Sequence, residues 1–343
     1  GKKARGGGGA PPPPDTKPGH FWVTLTRSGL STLEVQQLYA SSLSLPSHKD
    51  VGASGLKDKH AVATQTFSVP HYSKGLGRKL TESEVREASP GTVLGVAECS
   101  KKIRRNYHTS NEFVVILRGC APPPGSSLPS AISAVAAGLR AAGGVRNYYG
   151  PQRFGSRCSG AYRGHAILEE VKGKEGKKAK KAANNARMSV KGVFALQAWQ
   201  SMVFNVCLGR RSSPSPLVGD ILLPASGEEG LSGERVTGKN RDDIQDGRKV
   251  TCCFPGNRVM KAYPNTPAGA VESEVLKEAG VDERALSMCD LWGSRRVAFL
   301  DFESLGFTFE VMEGGRDVRF RFELGRGQYA TNVMREFMKN GGE

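Results

Sequence analysis

In the stretch GLKDKHAVATQ, residues 55–65, one acid, Asp58, stands between Lys57 and Lys59 in a segment that reads as a turn. Composition alone makes this a surface turn whose charges cancel. A second stretch, RNYYGPQRFGSR, residues 146–157, packs three aromatics, three arginines, Asn147 and Gln152 around two glycines. Aromatics interleaved with guanidiniums suit the stacking of an unpaired base while the cations hold phosphates. A core aromatic pair with solvated arginines is the competing reading. A third, KKIRRNYH at 101–108, sets Lys101, Lys102, Arg104 and Arg105 beside two rings, just before a strand. It reads as a contact for an RNA backbone, or as a basic edge that discourages strand pairing.

The whole chain weights these readings toward nucleic acid. Its 343 residues carry 49 Lys and Arg against 33 Asp and Glu, a formal charge of +16 that points to a polyanionic partner. No apolar run approaches the ~20 residues of a membrane span. The seven cysteines and six histidines are scattered without CxxC, HExxH or any spacing that suggests a metal, and free thiols in a reducing compartment are the simplest reading. No nucleotide fingerprint or nucleophile elbow occurs. The first residue is Gly1, so targeting is not judged from this end.

The elements that must carry these stretches follow from local pattern. Residues 1–15 are a Gly/Pro-rich tail. HFWVTLTR alternates as a strand, and a helix starts near Thr32 with Ser31 and Glu34 in capping-box spacing. TQTFSVPHY is a strand, TESEVREA a short helix capped by Thr81 and Glu84, and EFVVILRG (112–119) a buried strand. SAISAVAAGLRAAGG is a helix stopped by Gly143 and Gly144. Leu196, Trp199, Val203 and Val206 share a helical face, VRFRFEL alternates, and ATNVMREFMK is an amphipathic terminal helix. The segments 169–187, lysine-rich and short of large apolar groups, and 225–249, polar and glycine-rich, are expected to be flexible. Strands and helices without a βαβ repeat make the fold α+β.

The residues of these stretches also carry a resemblance. SGLKDKHAVATQ, followed about 90 residues later by NYYGPQRFG, is similar to the TruD/Pus7 family of RNA pseudouridine synthases. LQAWQSMVFN, FPGNRV and GQYATNVMREFMK agree in order with the family's insertion-domain helix, its Pro-Gly turn and its C-terminal strand and helix. The resemblance implies a pseudouridine-synthase-type catalytic domain with a mixed or antiparallel sheet, residues 16–155 plus 295–343, interrupted by an α+β TRUD-type insertion at 156–294. It implies isomerisation of a uridine in RNA, tRNA before mRNA or another structured RNA, without cofactor or metal, by a monomeric intracellular protein. Asp58 falls on the catalytic aspartate, with Lys57 or Lys59 as the charge that keeps it ionised. Tyr149 takes the place of a stacking aromatic that is usually phenylalanine. Asn147 matches the motif's asparagine and is expected to orient the loop or the aspartate. Gln152, Arg153 and Gly155 match the rest, Arg153 as a phosphate or structural contact. Lys57, Gln65, Asn147, Tyr149 and Arg153 thus form the expected substrate set, and Lys101, Lys102, Arg104 and Arg105 the backbone set.

Three departures qualify the match. The segments 169–187 and 225–249 match no family feature, the lysines of the first reading as a solvated loop before an extension of the RNA footprint. Two more lie at single positions. Ala63 stands where a threonine is usual, and the family's N-terminal basic residue has no counterpart in the Gly/Pro tract. They give substance to an alternative, a catalytically silent RNA-binding protein on the same scaffold. A base methyltransferase would need a cofactor loop that the sequence lacks.

Overall fold

The computed structural model describes residues 19–105, 107–224, 233–240 and 247–338, so the expected 1–15 tail lies outside the described residues. The chain divides into two compact units, residues 1–110 and 111–343.

In the first unit the chain runs β1 (His20–Arg27), α1 (Thr32–Ser42), β2 (Gly52–Ala53), β3 (Ala63–Pro70), β4 (Tyr72–Ser73), β5 (Arg78–Lys79), α2 (Glu82–Glu87) and β6 (Thr92–Cys99). An antiparallel sheet forms in the order β2-β3-β1-β6. The alternation of β1 buries Phe21, Val23 and Leu25 against Phe67, Val69, Val35 and Tyr39. Both expected capping boxes are present, Ser31 with Glu34 and Thr81 with Glu84.

The second unit continues with β7 (Ser110–Leu117), α3 (Leu128–Ala141), β8 (Val145–Arg146), α4 (Ser159–Lys172), α5 (Gly176–Met188), α6 (Val190–Arg210), β9 (Ile221–Leu223), β10 (Glu234–Arg235), β11 (Lys249–Phe254), α7 (Pro267–Glu278), α8 (Glu283–Met288), β12 (Ser294–Val297), β13 (Phe299–Leu300), β14 (Thr308–Val311), β15 (Val318–Gly325) and α9 (Ala330–Phe337). Two cores occupy it. One joins Ile132, Leu300, Phe302, Phe320, Phe322 and Val333 under the sheet β14-β15-β7. The other joins Leu168, Leu196, Trp199, Phe204, Cys252, Val275 and Leu286, from α4, α6, β11, α7 and α8. The chain passes from the first core to the second just after β8 and returns at β13, and these two strands pair, Arg146 opposite Phe299.

Three local expectations change. EFVVILRG forms a strand, but only Phe113, Val115 and Leu117 face the core; Val114 and Ile116 are exposed, because β7 is covered on one side. Val206 is half-exposed while Ala195, Ala198, Phe204 and Cys207 are buried, so the α6 face is broader and shifted from the one expected. Segment 169–187 is not a loop or frayed helix: it comprises the end of α4 and nearly all of α5, which seats Ala179, Ala183 and Ala186 in the interior. Alanine has the highest helix propensity and needs little room, so a segment without large apolar groups still packs. Of 225–249, residues 225–232 and 241–246 lie outside the described residues, and Glu234–Arg235 pairs with β9.

The Pro-Gly turn after β11 is a close approach. A Cβ on Gly256 would collide with the backbone of Trp292 and Gly293, where Asn257 bridges to Trp292. Gly256→Ala should therefore lower stability by about 1–3 kcal/mol in denaturant unfolding.

Candidate active site

Asp58 sits in the irregular loop between β2 and β3, exposed and flanked by Leu56 and Val62, themselves 70% and 76% exposed. What fixes this loop is a polar network at the end of β1. The Gln65 amide donates to the carbonyls of Ser54 (2.9 Å) and Gly55 (3.3 Å). Its Oε1 accepts from Thr32 Oγ1 at 3.1 Å and from Arg27 Nη2 at 3.4 Å. Thr32 Oγ1 in turn receives the backbone N–H of Lys57 at 2.9 Å. Asp58 is thus one residue beyond a hydrogen bond that pins the loop to the first turn of α1.

The lysines beside it differ in their surroundings. Lys59 pairs with Glu34 at 2.6 Å. That hydrogen bond, followed by those from Ser31, holds the Glu34 carboxyl at about 2. Lys57 is half-buried; burial first, then the Arg27 charge, pull it below the usual lysine range, and Asp58 opposes the shift. Arg27 is buried, its Nε and Nη1 have no hydrogen-bond partner among the described residues, and burial lowers its pKa. Its register partner on β3 is Ala63, which supplies no hydroxyl. The cations at the base of this loop are Lys57 and Arg27.

The basic segment 101–108 is fastened to the same loop. Gly55 N–H donates to Arg105 O at 2.9 Å, His108 N–H to Ser54 Oγ at 2.6 Å, and the His108 ring meets Ser54 Oγ at 2.9 Å. Trp22 Nε1 donates to Lys101 O at 2.7 Å and meets Tyr107 edge to face at 6.2 Å. Lys101, Arg104 and Arg105 are exposed, whereas Lys102 turns in to donate to Lys49 O. Three exposed cations thus line the approach to the Asp58 loop.

In the second unit the NYYG turn is held from four directions. Asn147 is buried; its amide donates to Val297 O at 3.0 Å and its Oδ1 accepts from Arg296 Nη2 at 2.9 Å. Asn147 therefore orients its own loop. The Tyr149 backbone is clamped by Asn205 of α6, N–H to Oδ1 and Nδ2 to O, both at 2.9 Å. Asn332 of α9 donates to Tyr148 O. The Arg296 guanidinium lies 4.1 Å from the Tyr149 ring centroid and also donates to Gly327 O at 2.6 Å. Tyr149 is buried at 9% exposure among Phe204, Phe254 and Tyr329, so only a strip of the expected stacking ring meets solvent. Arg153 hydrogen-bonds Ser201 Oγ at 3.0 Å with its guanidinium 5.4 Å from the Tyr149 centroid, tying the turn to α6.

Asp58, Lys57, Gln65 and the 101–105 cations thus belong to the first unit, and Asn147, Tyr149 and Arg153 to the second. Sequence reasoning missed Arg27, Thr32, Gln200, Asn205, Arg296 and Asn332. The polar residues within the apolar LQAWQSMVFN helix were the available signal: Gln200 is buried and donates to the carbonyls of Pro255 and Trp292 at 2.6 and 2.8 Å. Among the described residues no group of three or more His, Cys, Asp or Glu could hold a metal ion, and no helix is long and apolar enough to cross a membrane.

The family model described as tRNA pseudouridine synthase D (TruD) matches residues 12–172 and 164–337. Curated proteins named tRNA pseudouridine synthase D are similar over most of the chain. The one from Anaeromyxobacter dehalogenans strain 2CP-1 is 30% identical, covering 94% of this chain and 87% of its own length. One from Thermus thermophilus is 26% identical, with 93% and 82% covered. A solved structure titled as a putative tRNA pseudouridine synthase D from Methanosarcina mazei shares the fold at a TM-score of 0.68, with 21% identity, 94% of this chain and 89% of that one covered.

Two outcomes follow from the site's geometry. Asn205→Ala removes two hydrogen bonds to the Tyr149 backbone and should cost about 1–3 kcal/mol, read by denaturant unfolding. Glu34 binds its proton less readily folded (about 2) than at its ordinary 4.5, so its contribution is present above pH 4.5 and fades as pH falls toward 2. The stability gap between wild type and Glu34→Gln should accordingly shrink across that window in unfolding curves taken from pH 7 to pH 2.

Proposed function

Because this chain belongs to the TruD family of pseudouridine synthases, we propose that it converts a uridine of a tRNA to pseudouridine with the Asp58 carboxylate as nucleophile. The observation that carries the reading is the exposed Asp58 on a loop pinned by Gln65 and Thr32, in a chain matched to the family almost end to end.

The reaction is an isomerisation, so no atom is gained or lost. The carboxylate attacks C1′ of the ribose or C6 of the ring, the N1–C1′ bond breaks, and the uracil turns. A C5–C1′ bond then forms, the bond between the Asp58 oxygen and C1′ or C6 breaks to return the carboxylate, N1 gains a proton and C5 releases one. Asp58 must be ionised when it attacks. The uridine must leave its stack, which costs a few kcal/mol. Leu56 and Val62 offer apolar surface on either side of the acid; within the second unit Tyr149, taken as the motif's stacking aromatic, offers the edge of a ring. Lys101, Arg104 and Arg105 hold the adjacent backbone, Gln65 positions the nucleophile loop, and Asn147 and Arg153 fix the turn that carries Tyr149. Residues 156–294 are the inserted domain, and the enzyme works as an intracellular monomer without cofactor.

Asp58→Asn keeps the shape of the loop and removes the charge. It should retain RNA affinity within about threefold and lose pseudouridine formation by more than about 10³-fold, read by mass spectrometry of single-turnover reactions. Retained product formation would exclude Asp58 as nucleophile. RNA binding without product in the wild type, at any enzyme concentration, would leave a binding protein on this scaffold.

A further inference from the structure

We infer that the outer face of α5 is a second RNA-backbone contact, on a different unit from the Asp58 loop, that grips phosphates of the substrate. The inference rests on the reading of the protein as an enzyme acting on RNA. Helical spacing puts Lys177, Lys178, Lys180, Lys181, Asn184, Asn185 and Arg187 on one half of the helix, all exposed, while Ala179, Ala183 and Ala186 fill the other half. From Lys177 to Arg187 the strip is about 15 Å long, enough to meet successive phosphates.

This pattern is unfavourable for the helix taken alone. Like charges at i,i+3 and i,i+4 repel, and Lys177 and Lys178 stand in the first turn, where the helix dipole disfavours cations. No acid occupies that turn, and the N-cap, Glu175, makes no side-chain capping hydrogen bond. The neighbouring lysines are arranged differently: Lys172 pairs with Glu169 and Lys174 with Glu170. Among the described residues none of the four α5 lysines has an ion-pair partner. A row of cations that destabilises its own helix is offset when a polyanion neutralises it. Met188 at the end of α5, and Val190 and Phe194 in the first turns of α6, are 85%, 71% and 61% exposed, apolar surface on which a splayed base can rest. The asparagines add uncharged donors and acceptors for sugar and phosphate oxygens.

The test compares wild type with the quadruple variant Lys177→Gln, Lys178→Gln, Lys180→Gln, Lys181→Gln and with the four corresponding Lys→Arg changes, using full-length tRNA transcripts across a salt series. Gln keeps helix propensity at exposed positions, and circular dichroism confirms folding. The Gln variant should bind about tenfold or more weakly near 0.1 M salt, with the log–log salt slope reduced by roughly 0.7–0.9 for each lysine that meets a phosphate. The Arg variant should bind as the wild type does. At saturating RNA the single-turnover rate of the Gln variant should stay near wild type, as expected when uniform binding is lost. An unchanged slope and affinity would overturn the inference. So would lysine-dependent binding to phosphatidylserine vesicles with RNA binding unaltered, which would make the face a membrane contact. If no protein forms pseudouridine, the catalytic reading fails, yet the salt slopes still decide whether α5 meets RNA.

Discussion

Burying a guanidinium costs several kcal/mol unless its hydrogens find acceptors, and the Arg296 Nη2 finds them where three motif segments converge. Its Nη2 reaches Asn147 Oδ1 and Gly327 O, while its face lies over Tyr149 and within 5.3 Å of the Phe204 centroid. Asn147 and Tyr149 come from the NYYG turn, Phe204 from α6, and Gly327 from the turn before α9. A displacement of any one of these segments would strip acceptors or ring faces from a buried charge. The turn is therefore held rigidly by its surroundings.

Backbone clamping by side-chain amides recurs throughout. Asn205 holds Tyr149, Asn332 holds Tyr148, Gln200 holds Pro255 and Trp292, and Gln65 holds Ser54 and Gly55. An amide side chain can donate and accept at once, so one residue satisfies two backbone groups of an irregular loop that no sheet or helix ladder serves. In the first unit this device places Asp58 at the exposed crest of its loop, while the charges of Arg27 and Lys57 remain at the base. Arg27 keeps two donor atoms without partners among the described residues, and Lys57 is held down partly by its presence. The positive potential under the loop is thus built into the scaffold and is available to an anion above it.

The surplus of basic residues takes different forms along the chain. Arg211 with Asp220, and Arg295 with Glu272, are buried ion pairs that fix the second unit internally. Lys101, Arg104 and Arg105 border the Asp58 loop, and the α5 lysines form a stripe of their own. A net charge of +16 therefore indicates the partner class without indicating which cations meet it.

Period and capping were readable in the residues: β1, β15, α1, α2, α3 and α9 follow from alternation, capping boxes, glycine stops and amphipathic spacing, because those signals span only a few neighbours. The proposal of Asp58 and the NYYG turn as the chemical positions comes from the resemblance of short ordered motifs. The three-dimensional arrangement supplied the partners. Tyr149 meets Asn205 across 56 residues, Asn147 meets Arg296 across 149 and Tyr148 meets Asn332 across 184. Contacts at such separations leave no periodic trace in a single chain, so nothing local marks Arg295 and Arg296 as two buried guanidiniums. The same holds for α5. Its alanines and lysines specify a helix with one neutral and one charged half, but only packing against α4, α6 and α8 turned the neutral half inward and left the lysines facing outward.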